Sequence, residues 1–192
     1  MSTIFFCSHK PEKYATEKWR HVFSQWYDAG VPFIGGKGLK NISKAIDPDD
    51  YNKYILNQPF ITREEWMMLW KALIFAKDDY RDVNLEIAND IKNNKSPKMC
   101  RMLGRKIKGY DEDIWSKWRY DVVLNCNYLQ FTQNEAMKKI LLESGTRQIC
   151  EASSYDAIWG IGYAENNAEA NRQKWGLNLL GTCLMQIREL IK

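Results

Sequence analysis

The chain has 192 residues, 45% hydrophobic and 27% charged, the composition of one globular domain with enough apolar side chains for a core. Lys and Arg number 28 against 24 Asp and Glu, and a net charge of +4 does not mark a nucleic-acid binder. Eight Trp stand against two His, with no HExxH, paired CxxC or GxSxG, so zinc and Ser–His triad chemistry have no motif to rest on and acid–base work falls to carboxylates, Lys or Tyr.

In chain order, Ile4–Cys7, Val22–Ser24 and Val31–Ile34 read as short strands in an irregular first third. The run Gly35-Gly36-Lys37-Gly38 invites a phosphate-loop reading. The register fails, because Val31 stands where the first Gly belongs and Gly38 where Ser or Thr belongs, so the run is taken as a flexible loop. Thr62 then caps a helix expected to reach Lys77, with Glu64 and Glu65 in its first turn, where carboxylates suit the helix dipole. A second helix spans Arg81–Asn93, with Val83, Ile87 and Ile91 on one face. Ser96-Pro97 opens a third, to about Ile107. Asp111 caps a fourth to about Leu129, and Thr132 a fifth to about Glu143, closed by Gly145. A last long helix is expected from Glu169 to Leu190. The pattern predicts a mainly α fold: a compact single-domain helical bundle over residues 1–192, with a few short β-strands near the N-terminus.

Five Cys at wide spacing do not read as a disulfide framework, the first 14 residues lack a leader pattern, and no apolar run could span a membrane. A reducing, cytoplasmic setting is expected. The sequons Asn41-Ile42-Ser43 and Asn94-Lys95-Ser96 are read as chance.

Three places break the local burial pattern. On the Thr62 helix, apolar side chains spread over most of the circumference, yet Glu64 and Lys71 fall within about 20° of each other and about 10 Å apart along the axis. They are placed either to face one cavity, where a carboxylate suits acid–base work, or as a first-turn residue and a snorkelling Lys. From Lys92 to Tyr110 there are seven Lys or Arg and no Asp or Glu. Lys98, Arg101, Arg105 and Lys108 share a side that is either a solvated face or a phosphate-binding one. Arg119 sits in the apolar stripe of Trp115, Val122, Cys126 and Leu129, where it needs a salt-bridge partner or a ligand. One loop adds to these: in residues 151–162, Asp156, Trp159, Gly160 and Gly162 come together. Asp156 is there either a second carboxylate or a turn cap, and Trp159 either a platform for a flat base or a core plug.

Six segments in order resemble the NADAR superfamily, the YbiA-like N-glycosidases. FSQWYDAGVPF (23–33) is similar to the family's FSQWYPSPF, and TREEWMMLWKALIF (62–75) to T-x-E-H-Y-M-M-x-x-K-A-x-x-F. SPKMCRMLGRKIKGYDEDIWSKWRYDVV (96–123) resembles SPKEAKxLGRxVxxFDxxxWxxxRYxxV. FTQNEAMKKILLESG (131–145), EASSYDAIWGIG (151–162) and GLNLLGTCLMQIREL (176–190) complete the match.

The resemblance implies hydrolysis, without a metal or other cofactor, of an N-glycosidic bond to a ribosyl phosphate, the best-known substrates being phosphoribosylamino-pyrimidine riboflavin intermediates. It implies Glu64 and Asp156 as catalytic residues, and Lys71, Trp115, Arg119, Trp159, Gly160, Arg105, Gln25 and Trp26 as substrate-binding ones. The partner is then a small-molecule ribosyl phosphate or ADP-ribosyl substrate, with no membrane, and nucleic acid only as a modified substrate. Two departures stand out. Glu65 replaces the family His, which implies reduced activity if that His moves a proton. About twenty extra residues, near 36–58, form an inserted loop. Two other readings therefore accompany the first: a hydrolase of ADP-ribose or NAD-derived conjugates, and a nucleotide-binding module that has lost catalysis.

Overall fold

The computed structural model of the chain describes residues 2–11, 17–94 and 96–192. Met1 and residues 12–16, in the stretch read for a leader, and Lys95, shared by the second sequon and the basic run, lie outside the described residues. In chain order the elements are strand β1 (Thr3–Phe6), a 3-10 helix (Lys18–Phe23), strand β2 (Phe33–Ile34), a 3-10 turn (Ser43–Ala45), helix α1 (Pro48–Tyr54) and strand β3 (Pro59–Phe60). Then come α2 (Arg63–Ile74), a 3-10 turn (Asp78–Tyr80), α3 (Arg81–Asn93), α4 (Pro97–Gly104), α5 (Glu112–Gln133), α6 (Glu135–Glu143) and strand β4 (Gln148–Glu151). The last are α7 (Glu165–Ala168), a 3-10 helix (Glu169–Lys174) and α8 (Leu179–Leu190). The mainly α class is the observed one. Among the described residues no helix is long and apolar enough to cross a membrane.

The chain groups into two units, one of residues 28–133 and one of residues 1–27 with 134–192. The first is built around α2, which packs against α3, α4 and α5. Every α2 residue is buried except Lys71, which is half-buried. The Thr62 Oγ1 accepts from the Glu65 N–H at 3.2 Å, and the Glu65 carboxylate accepts from the Ile61 N–H at 2.9 Å, so each satisfies a donor at the helix start. Trp66 sits 4.9 Å from the Phe60 ring and 5.7 Å from Trp70, and its Nε1 donates to the Val122 carbonyl of α5 at 2.9 Å. Strands β2 and β3 pair antiparallel, with Phe33 opposite Phe60. Segment 36–58 is more ordered than the expected loop. Asp47 caps α1 by accepting from the Asp49 N–H at 2.8 Å, Pro48 opens it, and Asp50 pairs with Arg81 at 2.9 Å.

In the second unit β1 and β4 pair parallel, Thr3 opposite Gln148 through Phe6 opposite Glu151. Helix α8 lies against β4, and Phe5, Cys150, Ala152, Ile161 and Ala168 form a core cluster with Trp175 packed on it. Gly181 is required there, since a Cβ on it would stand 2.0 Å from the Ile149 carbonyl oxygen.

Several expected boundaries are corrected. Val22 lies in a 3-10 helix and not a strand, with Val22 and its neighbour Phe23 both buried instead of alternating. Helix α2 stops at Ile74 and α4 at Gly104, each short of the expected end. Thr132 does not cap a helix: its hydroxyl donates back to the Tyr128 carbonyl at 2.7 Å, α5 continues to Gln133, and Asn134 caps α6 through the Met137 N–H at 3.1 Å. The expected last helix is broken. Asn178 takes a left-handed backbone, φ +48°, and Gly176 passes so close to Ala157 that a Cβ would sit 2.2 Å from its carbonyl oxygen.

Gly181→Ala is expected to destabilise the fold by about 2–3 kcal/mol, because the obstacle is strand backbone that cannot yield. Gly104→Ala, whose Cβ would meet the flexible Met68 Sδ at 2.2 Å, should cost less. Urea unfolding of both variants checks the order.

Candidate functional site

The site residues of the 28–133 unit gather where α2, α4 and α5 meet. Glu64, in the first turn of α2, is 4% exposed. Seven residues on, Lys71 donates its Nζ to the Gly104 carbonyl at 3.3 Å and lies 4.1 Å from the centre of the Tyr110 ring. Gly104 is what lets α4 come this close, because Met68 on α2 occupies the space a side chain would need. Burial pushes the Lys71 ammonium down; Glu112 and Glu64 hold it up, and Arg105 presses it further down. Glu112, Arg105 and Glu64 are thus the charges that act on Lys71.

At the start of α5, Asp111 accepts from the Ile114 N–H at 3.0 Å, which sets the helix direction. Arg119 donates to the Glu112 carboxylate at 2.6 Å, and the Tyr110 hydroxyl donates to the other oxygen of Glu112. Arg119 on its apolar stripe thus has an ion-pair partner. Burial and the Glu112 hydrogen bond push the Tyr110 phenol up to about 12, so it stays a neutral donor. The hydrogen bond from Tyr110 and the Arg119 charge hold the Glu112 carboxyl low. Trp115 is buried beside this network. Tyr110 and Glu112 were not predicted. The seven-residue spacing of Glu112 and Arg119 puts them within about 20° on a helix, a signal that the projection contains.

Glu65, where the family has His, is committed elsewhere. Besides the Ile61 N–H it holds Lys92 at 3.4 Å, and Lys92 in turn donates to the Pro59 carbonyl at 2.8 Å. Burial pushes the Glu65 carboxyl up, against the pull of Ile61 and Lys92. Cys100 of α4, near both Glu64 and Glu65, is pushed up to about 12, first by burial, and is an inert thiol.

In the other unit, Asp156 Oδ1 accepts from the Ile158 and Trp159 N–H groups at 2.9 and 2.8 Å, so it organises its own turn. The loop is fastened along its length. Leu177, Asn178, Leu179 and Leu180 donate their N–H groups to the carbonyls of Ala157, Gly160, Ile158 and Trp159 at 2.8–3.1 Å. Gly160 is needed where a Cβ would sit 2.7 Å from the Glu151 carbonyl. Trp159 stays half-buried. Asn178, not predicted, ties this loop to β4, accepting from the Glu151 N–H at 3.1 Å and donating to the Ile149 carbonyl at 2.9 Å. Gln25 is 7% exposed, and neither its Oε1 nor its Nε2 has a partner among the described residues. A buried amide in that state calls for a ligand or water to complete it. Trp26, next to it, is half-buried, with His9 at 5.7 Å ring to ring. Among the described residues no group of three or more His, Cys, Asp or Glu could hold a metal ion.

A family model described as the NADAR domain matches residues 5–192. An N-glycosidase, R617, of Acanthamoeba polyphaga mimivirus is 34% identical over 171 residues, covering 88% of this chain and 86% of the relative. The protein irg-1 of Caenorhabditis elegans is 30% identical over 184 residues, 92% of this chain and 82% of the relative. The chloroplastic riboflavin biosynthesis protein PYRR of Zea mays is 32% identical over 110 residues, 55% of this chain and 16% of that protein. The NMR structure of the Escherichia coli protein YbiA shares the fold, with a TM-score of 0.60 at 19% identity over all of this chain and 86% of the other.

Two substitutions probe these electrostatics. Removing the Glu112 charge as Glu112→Gln should lower the Lys71 pKa further, read by NMR titration of methylated lysines. For Glu65 the folded pKa lies above the unfolded one, so its favourable contribution is complete at acid pH and is lost as pH rises through the folded value. Glu65→Gln keeps an acceptor for Ile61 and should therefore gain stability relative to the parent between about pH 4 and pH 7, read by urea midpoints.

Proposed function

This chain belongs to the NADAR family, and from that premise we propose that it is an N-glycosidase acting on a ribosyl phosphate conjugate, with a phosphoribosylamino-pyrimidine of the riboflavin route as its substrate. The observation that carries the reading is Glu64, a carboxylate enclosed in the protein on the same side of α2 as Lys71, with Arg105 close enough to act on that Lys. The names of the mimivirus and maize relatives support the choice of chemistry and substrate.

In this reading the C1′–N bond breaks with its electron pair going to nitrogen, and the sugar carbon passes through an oxocarbenium-like state. Water adds its oxygen to C1′; one of its protons goes to a carboxylate and the leaving nitrogen gains one. Glu64 takes the water or cation-stabilising role, and Trp115 stacks on the base. Asp156 carries the leaving-base or ribose role, and Trp159, Gln25 and Trp26 the substrate-binding roles, that the family resemblance implies for them. Lys71, Arg105 and Arg119 neutralise the phosphate, which must draw Arg119 away from Glu112. No cofactor takes part. Glu65 is held at the start of α2 by the Ile61 N–H and Lys92, and its replacement of the family His lowers turnover if that position moves a proton. The setting is cytoplasmic.

A second reading, with ADP-ribosyl conjugates as substrates, is favoured by Arg105, through which the basic Lys98–Lys108 run reaches Lys71. Incubation with riboflavin intermediates, NAD, ADP-ribose and ADP-ribosylated bases, followed by chromatography, separates the two. Binding without release of base across the panel overturns both. Glu64→Gln should lower kcat by about 100-fold or more with an unchanged circular dichroism spectrum. Asp156→Asn retains the oxygen that accepts from Ile158 and Trp159. If Asp156 aids departure of the base, its loss should be smallest on substrates whose base leaves readily.

A further inference from the structure

The extra segment, expected as an inserted loop, encloses a cleft of about 310 Å³ against α5, lined by Gly36, Lys37, Gly38, Lys40, Ser43 and Tyr51 among others. Among the described residues no Asp or Glu lines it. Of the nearby acids, Asp47 serves the α1 cap and Asp50 pairs with Arg81. The rim is anchored. Asn125, 1% exposed on α5, accepts from the Lys40 N–H at 2.9 Å and donates to the Lys40 carbonyl at 2.8 Å. Gly38 presses so closely on Asn125 that a Cβ would stand 2.5 Å from its Cγ. With the loop held in this way, the N–H groups of Gly36, Lys37 and Gly38 make no hydrogen bond to any described residue. Burial pushes the Tyr51 phenol up, so its hydroxyl keeps its proton and remains a donor. Lys44, just beyond, lies 5.8 Å from the centre of the Trp118 ring.

This cleft is not an extension of the Glu64 region. Trp70, whose ring is 6.2 Å from that of Tyr51, lies about 120° round α2 from Glu64 and about 100° from Lys71. Met68, on the Glu64 side, faces Gly104 of α4. The two sites therefore lie on different sides of one helix.

We propose that the cleft formed by Gly36–Ser43, Tyr51 and Asn125 is a second anion site, built to take the phosphate group of a small phosphomonoester. Two lysines supply charge, and consecutive unpaired N–H groups with the Tyr51 hydroxyl supply directional donors, the combination that phosphate oxygens require, while the Ser43 hydroxyl is held by donating to Asn41 Oδ1 at 2.8 Å. The site does not depend on the proposed N-glycosidase activity.

The test is titration of the full chain with inorganic phosphate at constant ionic strength, read by the amide NMR shifts of Gly36, Lys37 and Gly38, with chloride as control. Saturable shifts at these amides are expected with phosphate and not with chloride. The double variant Lys37→Ala/Lys40→Ala should weaken binding at least tenfold, while Glu64→Gln leaves it unchanged. Absence of saturation, equal shifts with chloride, or binding insensitive to the double variant overturns the proposal. Because Glu64→Gln is read here by binding and elsewhere by turnover, failure of one reading is distinguishable from failure of the other.

Discussion

Helix α2 has no side that faces water, and that constraint organises the 28–133 unit. A helix buried all round cannot solvate the free N–H groups of its first turn, so protein groups must do so. Thr62 supplies part of that need by accepting from the Glu65 N–H, and the Glu65 carboxylate accepts from the Ile61 N–H just ahead of the helix. A cap of this kind contributes about 1 kcal/mol, but its larger effect is to fix where the helix begins. With the start fixed, Trp66 reaches Val122, Met68 meets Gly104, and Glu64 and Lys71 fall where α4 and α5 bring Arg105 and Glu112.

The unit of residues 1–27 and 134–192 solves a different problem. The loop that carries Asp156 and Trp159 has no helix or strand of its own, and it borrows regularity from the chain that enters α8. Four N–H groups there are spent on loop carbonyls. Asn178, bent into the left-handed region, uses its side chain to hold β4. An Asn tolerates that backbone better than most residues and can also serve as donor and acceptor at once. The rigidity of the Asp156 turn therefore comes from residues about twenty positions later.

That separation explains what could be read in advance. Helix α3 was legible to the residue because Val83, Ile87 and Ile91 repeat at the helical period and nothing distant overrides it. Glu64 and Lys71 were legible because they violate a pattern set by their own helix. Thr132 misled, since a hydroxyl that caps one helix can equally bond back within another, and only Asn134 two residues later decides between them. The break before α8 was hidden because it depends on how closely Gly176 must pass Ala157, a contact no local pattern encodes. Tyr110 and Glu112 were missed for a related reason. Both are exposed in α5's approach, so burial arguments pass over them, and their importance lies in what they do to Lys71 and Arg119.

Those two residues bear on how the cations of the proposed site are held when nothing anionic is bound to them. Lys71, Arg105 and Arg119 would repel one another if left together, and Lys71 is already discouraged from carrying charge by burial. Glu112 offsets this from the exposed side, taking Arg119 through one oxygen and the Tyr110 hydroxyl through the other. An ion pair with one partner in solvent, as Glu112 is here, contributes little to stability, on the order of 1 kcal/mol. In the proposed reaction a phosphate, with more charge and more acceptor oxygens than a carboxylate, competes with Glu112 for Arg119. The arrangement keeps the cations charged and in place while leaving them available, which a buried carboxylate partner such as that of Lys92 would not.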